Sequence, residues 1–241
     1  MAGGNGAGDQ MNQLNKPSNI IIDRETNTFI IGECDNQRIM RWSRQNNTTH
    51  GEVIVTDIRC WGLAMDKDGS LYICDAEKNE VRRLKRRETG RGTIVAGGNG
   101  KGPELNQFDW PTSIYVDDHY SLYVCDCYNH RVMKWTKDAL GGVVVAGGNG
   151  YGKHLSQFHK PQGITVDLSG RIYVADTYNH RVMCWHDGAP EGTIVLGGNE
   201  KGRQPTHFQG PTDLAFDRRG NLYVVDRCNY RIQKFEIIHN E

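Results

Sequence analysis

Residues 121–150 read S-L-Y-V-C-D-C-Y-N-H-R-V-M-K-W-T-K-D-A-L-G-G-V-V-V-A-G-G-N-G. Leu122 to Cys125 is a short apolar run of β-prone residues, and Asp126 to His130 breaks it with turn formers. Arg131 to Trp135 is a second run of alternating character. Gly142 to Ala146 is a third, stopped by Gly147-Gly148-Asn149-Gly150. Strand, turn, strand, turn, strand is the plain reading. The text returns over 171–200 as R-I-Y-V-A-D-T-Y-N-H-R-V-M-C-W followed by G-T-I-V-L-G-G-N-E. It returns again, with more changes, from Asn221 as N-L-Y-V-V-D-R-C-N-Y-R-I-Q-K-F.

Working outward, a further short run ending in Asp precedes each unit, giving Asp23, Asp66, Asp117, Asp167 and Asp217 as a ruler. The steps are 43, 51, 50 and 50 residues. Each period offers about four short strands, the content of a propeller blade. The expected fold is therefore all-β: a single repeat domain over 1–241 made of five four-stranded blades. The repeats lie at about 17–55, 60–98, 111–148, 161–198 and 211–238. Repeat five lacks an outer strand of its own. The opening stretch 2–16, A-G-G-N-G-A-G-D-Q-M-N-Q-L-N-K, copies 96–110, A-G-G-N-G-K-G-P-E-L-N-Q-F-D-W. Residues 1–16 are thus expected to supply the closing outer strand of blade five and the first linker. The alternative is that this chain is a piece of a longer one.

Residues that recur in every repeat solve a folding problem. The Asp ending each first strand suits a turn in which its side chain accepts from the amides just ahead. Gly69, Gly170 and Gly220 follow three residues on, where a positive φ is expected. The second recurring set is Asp126 with Asn129, His130 and Arg131, repeated as Asp176, Asn179, His180 and Arg181. Blade five has Asp226, Asn229, Tyr230 and Arg231, and blade one has Glu33, Asn36, Gln37 and Arg38. Acid and Arg are kept together everywhere except blade two, which implies a carboxylate–guanidinium clamp at the turn between the second and third strands. The His position varies to Tyr, Gln and Asn, so it is not an obligatory metal ligand.

D-x-x-N-H-R-V after an L-Y-V run resembles the NHL repeat. The likeness covers about residues 17–238, is closest in repeats three and four, and is weakest in repeat two, where Lys78-Asn79-Glu80 replace Asn-His-Arg. The resemblance implies a β-propeller, commonly of six blades. It also implies several unrelated functions, since fold alone chooses none. Relatives joined to a RING or tripartite motif recruit protein or RNA to a ubiquitin ligase. Relatives in bacterial receptor kinases are sensors. Relatives that act as amidating lyases place His ligands along the channel, but the corresponding positions here are Ser18, Thr112, Gln162 and Thr212.

Composition narrows the classes. Twenty-nine basic and 29 acidic residues give a formal charge of zero, with no general pull toward nucleic acid or anionic membranes. No apolar run approaches the roughly 20 residues of a membrane helix, and the polar start has no signal-peptide core. Seven cysteines without a C-x-x-C pair argue against zinc and for small buried hydrophobes in a reducing compartment, so the cytoplasm is favoured. Overlapping glycosylation sequons at Asn46 and Asn47 pull the other way. No Ser/His/Asp or H-E-x-x-H arrangement appears, and the expectation is a non-catalytic protein without cofactor or metal.

Residues that differ between blades are free to form a site. The turn tips are Asp35, Glu77, Tyr128, Tyr178 and Cys228, and the residues before the inner strands are Lys16, Arg59, Trp110, Lys160 and Gly210. Both sets belong at one end of antiparallel blades. The expected binding face carries Trp110, Tyr128, Tyr178, Lys160 and Lys16, because aromatics and cations on rigid loops favour recognition. The expected function is a binding scaffold for a protein or peptide, as in the substrate-recognition part of a ubiquitin-ligase-like system, acting as a monomer or within a larger chain. The alternative is RNA binding through Arg82, Arg83, Lys85, Arg86 and Arg87. A propeller-type lyase or hydrolase is the third reading.

Overall fold

Strands with apolar residues on both faces must be covered on both faces, and the chain does this by stacking sheets side by side. In a computed structural model that describes residues 2–45, 48–86, 88–198 and 200–237, every α-helix is absent and the described chain is β throughout apart from two single turns of 3-10 helix. Blade one is β1 (Pro17–Asp23), β2 (Thr28–Glu33), β3 (Arg38–Ser43) and β4 (Glu52–Thr56). Blade two is β5 (Cys60–Met65), β6 (Leu71–Asp75), β7 (Glu80–Leu84) and β8 (Thr93–Gly97). Blade three is β9 (Pro111–Val116), β10 (Leu122–Asp126), β11 (Arg131–Trp135) and β12 (Val143–Gly147). Blade four is β13 (Gly163–Val166), β14 (Ile172–Asp176), β15 (Arg181–Trp185) and β16 (Thr193–Gly197). Blade five is β17 (Pro211–Phe216), β18 (Asn221–Asp226) and β19 (Arg231–Glu236). Each blade is an antiparallel meander in sequence order, so the five-bladed propeller expected from the repeats is the fold. No helix among the described residues is long and apolar enough to cross a membrane.

The recurring Asp does what its position demands. Asp117 Oδ1 accepts from the amides of His119 (2.9 Å) and Ser121 (2.8 Å), and Asp66, Asp167 and Asp217 repeat the pattern. The core lies between blades. Leu122 and Val124 on β10 pack with Tyr72, Cys74 and Val81 of blade two, while Tyr123 and Cys125 of the same strand pack with Ile164, Val174 and Met183 of blade four. This is why the second strand of each repeat reads as unbroken apolar text. Linkers are pinned by Phe108, Phe158 and Phe208, all buried, with Phe108 and Phe158 against Trp135 and Trp185 at 4.8 and 4.6 Å between ring centroids. Gly147 must be glycine: its φ is +69°, and a Cβ there would run into Phe158 and sit 2.6 Å from the His130 carbonyl.

The recurring Arg reaches further than the turn. Arg131 Nε donates to Asp126 Oδ2 at 2.8 Å, and its two Nη atoms donate to the carbonyls of Pro103, Glu104 and Gln107 at 2.6, 2.9 and 3.0 Å. Asp126 also accepts from Asn129 Nδ2 and the Asp109 amide, each at 2.8 Å. The clamp therefore fastens the linker that arrives from the preceding blade onto the turn. Burial pushes the Asp126 and Asp176 carboxyls up, against the pull of these donors. Blade two rebuilds the clamp from elsewhere: Arg91 Nη1 meets Asp57 at 2.8 Å and Nη2 lies 3.7 Å from Asp75, while Arg82 closes on Glu80 at 2.6 Å.

One expectation is corrected. Residues 2–16 do not form the outer strand of blade five, which has three strands among the described residues. They lie on blade one. Ala2 and Leu14 pack against Ile31, Met40 and Trp42, and Arg38 takes the carbonyls of Asp9, Gln10 and Gln13. The linker half of the expectation holds, because Arg38 grips this segment as Arg131 grips residues 103–107; the strand half fails, because Ala2 finds its apolar cover on blade one and β19 pairs only with β18 among the described residues.

Candidate functional site

The turn between the second and third strands and the linker entering the inner strand meet at one end of each blade, as antiparallel order requires. The Tyr128 amide donates to the Asp109 carbonyl and that of Tyr178 to His159, at 3.0 and 3.1 Å. The backbone that presents the side chains is held in the left-handed region at Trp110 (φ 56°), Lys160 (51°) and His130 (55°). Left-handed non-glycine residues need fixing from outside. Here the Lys160 amide donates to His130 Nδ1 at 3.1 Å, that of Gly210 to His180 Nδ1 at 3.1 Å, and that of Trp110 to Asn79 Oδ1 at 2.8 Å. The signature His is thus an acceptor that latches one blade to the next. Burial, then His159 and Lys160, hold His130 below the ordinary histidine value. Burial, then Lys201 and Lys153, do the same for His180.

On this fixed backbone the expected residues converge. Trp110 stacks on Tyr128 with centroids 6.2 Å apart and planes at 27°. Lys160 Nζ stands 4.9 Å from the Tyr128 ring and 5.2 Å from the Tyr178 ring. Two side chains that sequence reasoning left out of the site extend the row into blade two: Trp61 meets Trp110 edge-on at 6.2 Å, and Arg59 lies over the Trp110 ring at 5.8 Å. At the other end His159 packs on Tyr178 at 5.0 Å and on Tyr151 at 5.6 Å. The result is a band of rings and cations across blades two, three and four. Tyr128 and Tyr178 are 41% and 51% exposed, so the band is open to a ligand. Arg59 Nε and Trp61 Nε1 are buried donors with no acceptor among the described residues. Lys16 is not joined to the band by any ring contact; it pairs with Asp35 of its own blade at 2.7 Å.

The basic stretch of blade two is largely neutralised. Arg82 closes on Glu80, and Arg86 lies 3.1 Å from Glu25 and 3.7 Å from Asp23. Arg87, expected in that cluster, lies outside the described residues, as do Asn46 and Asn47 of the sequons. Around the axis, Ser18, Asn19, Trp61, Thr112, Ser113, Gln162, Thr212, Asp213 and Arg227 line a channel of about 170 Å³. Burial pushes the Asp213 carboxyl up. Among the described residues no group of three His, Cys, Asp or Glu side chains could hold a metal ion.

Comparison with known proteins gives the same architecture. The NHL repeat matches residues 108–135, 158–185 and 208–235, each stretch starting at a linker Phe. No curated protein matches the sequence. Among solved structures, an auxiliary nutrient binding protein of Bacteroides thetaiotaomicron superposes with a TM-score of 0.72 at 18% identity, over 92% of this chain and 59% of that one. A gluconolactonase of Xanthomonas campestris gives 0.69 at 15%, over 92% and 76%. A virginiamycin B lyase of Staphylococcus aureus gives 0.57 at 15%, over 95% and 73%. The chain thus spans about six tenths of the nutrient-binding structure, and at these identities the likeness concerns the fold. The protein is built of NHL repeats that form a β-propeller.

Proposed function

We propose that this propeller is a non-catalytic scaffold that recognises a protein segment through the band Arg59–Trp61–Trp110–Tyr128–Lys160–Tyr178. The observation that carries the reading is the unbroken row of rings and cations on latched backbone. Rigid aromatics bury area at little entropic cost, and they dominate the energetics of protein interfaces. Lys160, held between the exposed rings of Tyr128 and Tyr178, favours a ligand that offers a carboxylate beside an apolar or aromatic group. A place as the recognition part of a ubiquitin-ligase-like assembly is the finer form of this reading. RNA binding through Arg82, Arg83, Lys85 and Arg86 has weaker support, because Arg82 and Arg86 are already paired with acids.

The test is capture of the partner with and without nuclease, followed by Trp110→Ala and Tyr178→Ala. Each substitution should weaken binding at least about tenfold, the weight of one aromatic anchor. Nuclease should leave capture intact. Normal binding by both variants would reject the band as the site.

A further inference from the structure

The amide that fixes the cation of the band hangs on a group that can take a proton. In the linker entering blade four, the His159 amide donates to Asp176 Oδ1 at 2.7 Å and the His159 carbonyl accepts from Tyr178 at 3.1 Å. Lys160 comes next, with φ at 51°, and Pro161 after it has no N–H to offer. The Lys160 amide donates to His130 Nδ1 at 3.1 Å. Left-handed backbone disfavours a residue with a Cβ, and a following proline pushes the residue before it toward extended backbone. Without its acceptor Lys160 leaves that conformation, and its side chain leaves with it.

An imidazole accepts at Nδ1 only while that nitrogen is bare, and a proton there sets N–H against N–H. His130 is faced by His159, with ring centroids 6.1 Å apart, and by Lys160, both from the linker entering blade four. Tyr151 faces it at 5.9 Å, and Asp109 acts on it from the linker entering blade three. Burial, His159 and Lys160 oppose the proton; Asp109 favours it but is paired with Lys101 at 3.1 Å. The ring is therefore neutral at neutral pH and takes its proton below the ordinary histidine value of about 6.5. Blade three supplies a comparison within the same molecule. Trp110 occupies the same place, with φ at 56° and Pro111 after it, but its amide donates to Asn79 Oδ1 at 2.8 Å, and a side-chain amide has nothing to titrate. In blade five His180 latches Gly210, which has no side chain to present.

We propose that His130 is the positioning residue for the cation of the band: neutral, it holds Lys160 Nζ between Tyr128 and Tyr178, and protonated, it releases Lys160 while Trp110 stays in place. This inference rests on the binding band proposed above and deepens it. The part of the site that meets a carboxylate is lost in acid, and the aromatic part is kept.

The first arm of the test needs no partner. Amide exchange of the full chain, followed by NMR, should show the protection factor of the Lys160 amide falling about tenfold between pH 7.5 and 5, the effect of one pH unit below the His130 value. The Trp110 amide should keep its protection. His130→Asn, the residue that blade two uses at this turn, should hold Lys160 protected across the range. Asn79→His should move the loss to the Trp110 amide, so the outcome does not hang on one variant. In the second arm, with the captured partner, Lys160→Ala should weaken binding about tenfold at pH 7.5 and leave it unchanged at pH 5. On the His130→Asn background the same substitution should weaken binding equally at both. Lys160 protection that ignores pH, or that falls in His130→Asn as in the native chain, overturns the proposal. So does a Lys160→Ala penalty that persists at pH 5. Normal binding by Lys160→Ala and Trp110→Ala at pH 7.5 would instead remove the band as the site, and the exchange result would still decide the latch.

Discussion

Replacing Arg181 with alanine removes four hydrogen bonds at one stroke. Its guanidinium is buried and donates to Asp176 Oδ2 at 2.7 Å and to the carbonyls of Lys153, His154 and Gln157 at 2.9, 3.1 and 2.9 Å. The carboxylate left behind keeps only the Asn179 amide and the His159 N–H, in a site where burial already raises its pKa. Breaking a buried pair from one side costs about 3–5 kcal/mol, and the three linker carbonyls lose their donor as well. We therefore expect Arg181→Ala to lose about 3–5 kcal/mol in urea unfolding followed by tryptophan fluorescence. Arg231→Ala, whose side chain is 28% exposed, should lose clearly less. Arg203→Ala, on an exposed side chain, should stay within about 0.5 kcal/mol. The Arg181→Ala deficit should shrink as pH falls, because the stranded Asp176 can take a proton and lose its uncompensated charge. A midpoint for Arg181→Ala equal to that of Arg203→Ala would refute the clamp.

Gly147→Ala should cost about 2–4 kcal/mol, since a Cβ there meets Phe158 and His130 at a positive φ; Gly188→Ala, with φ +71° and open space, should cost only about 1–2 kcal/mol. The latches make stability depend on pH: His130 and His180 have pKa values depressed by burial, so their contribution is whole above the ordinary histidine value of about 6.5 and is lost as pH falls through the folded values. Thermal melts from pH 8 to 5 should show the decline, and His130→Asn, which keeps an acceptor as Asn79 does in blade two, should flatten it. Of the seven thiols only Cys228 is exposed, and burial raises those of Cys60, Cys74 and Cys125, so a thiol reagent should titrate one cysteine fast and the others only after unfolding.

Much of this was legible because each repeat must solve the same problem. Text such as Leu122–Cys125, apolar at every position, announces a strand covered on both faces, and the blades on either side supply the cover. The recurring Asp126–Arg131 pair announces a clamp, but its reach to Pro103, Glu104 and Gln107 was hidden because carbonyl partners carry no side-chain signature. That residues 2–16 form the first linker is legible in their letters, but which blade their first residues join carries no side-chain signature, and Ala2 packs on blade one rather than blade five. Trp110, Tyr128, Tyr178 and Lys160 could be gathered from their places in the repeat. Trp61 was missed because it stands one residue inside the inner strand, where the other blades carry the small or polar Ser18, Thr112, Gln162 and Thr212, and not at a turn tip or just before an inner strand, the two places whose variation marks the site. Lys16 sits at the expected height but is drawn away by Asp35, a partner that only the turn geometry brings near.

If the propeller meets a protein, as proposed, the contact should fall on the band across blades two to four. Hydrogen exchange of the chain with and without its captured partner reads that contact out residue by residue. Protection should appear at 59–61, 109–110, 127–129, 159–160 and 177–179 and fade in a Lys160→Ala, Tyr178→Ala double variant. Protection confined to the channel residues Ser113, Gln162 and Asp213, or to the opposite ends of the blades around Asp117 and Asp167, would contradict the account.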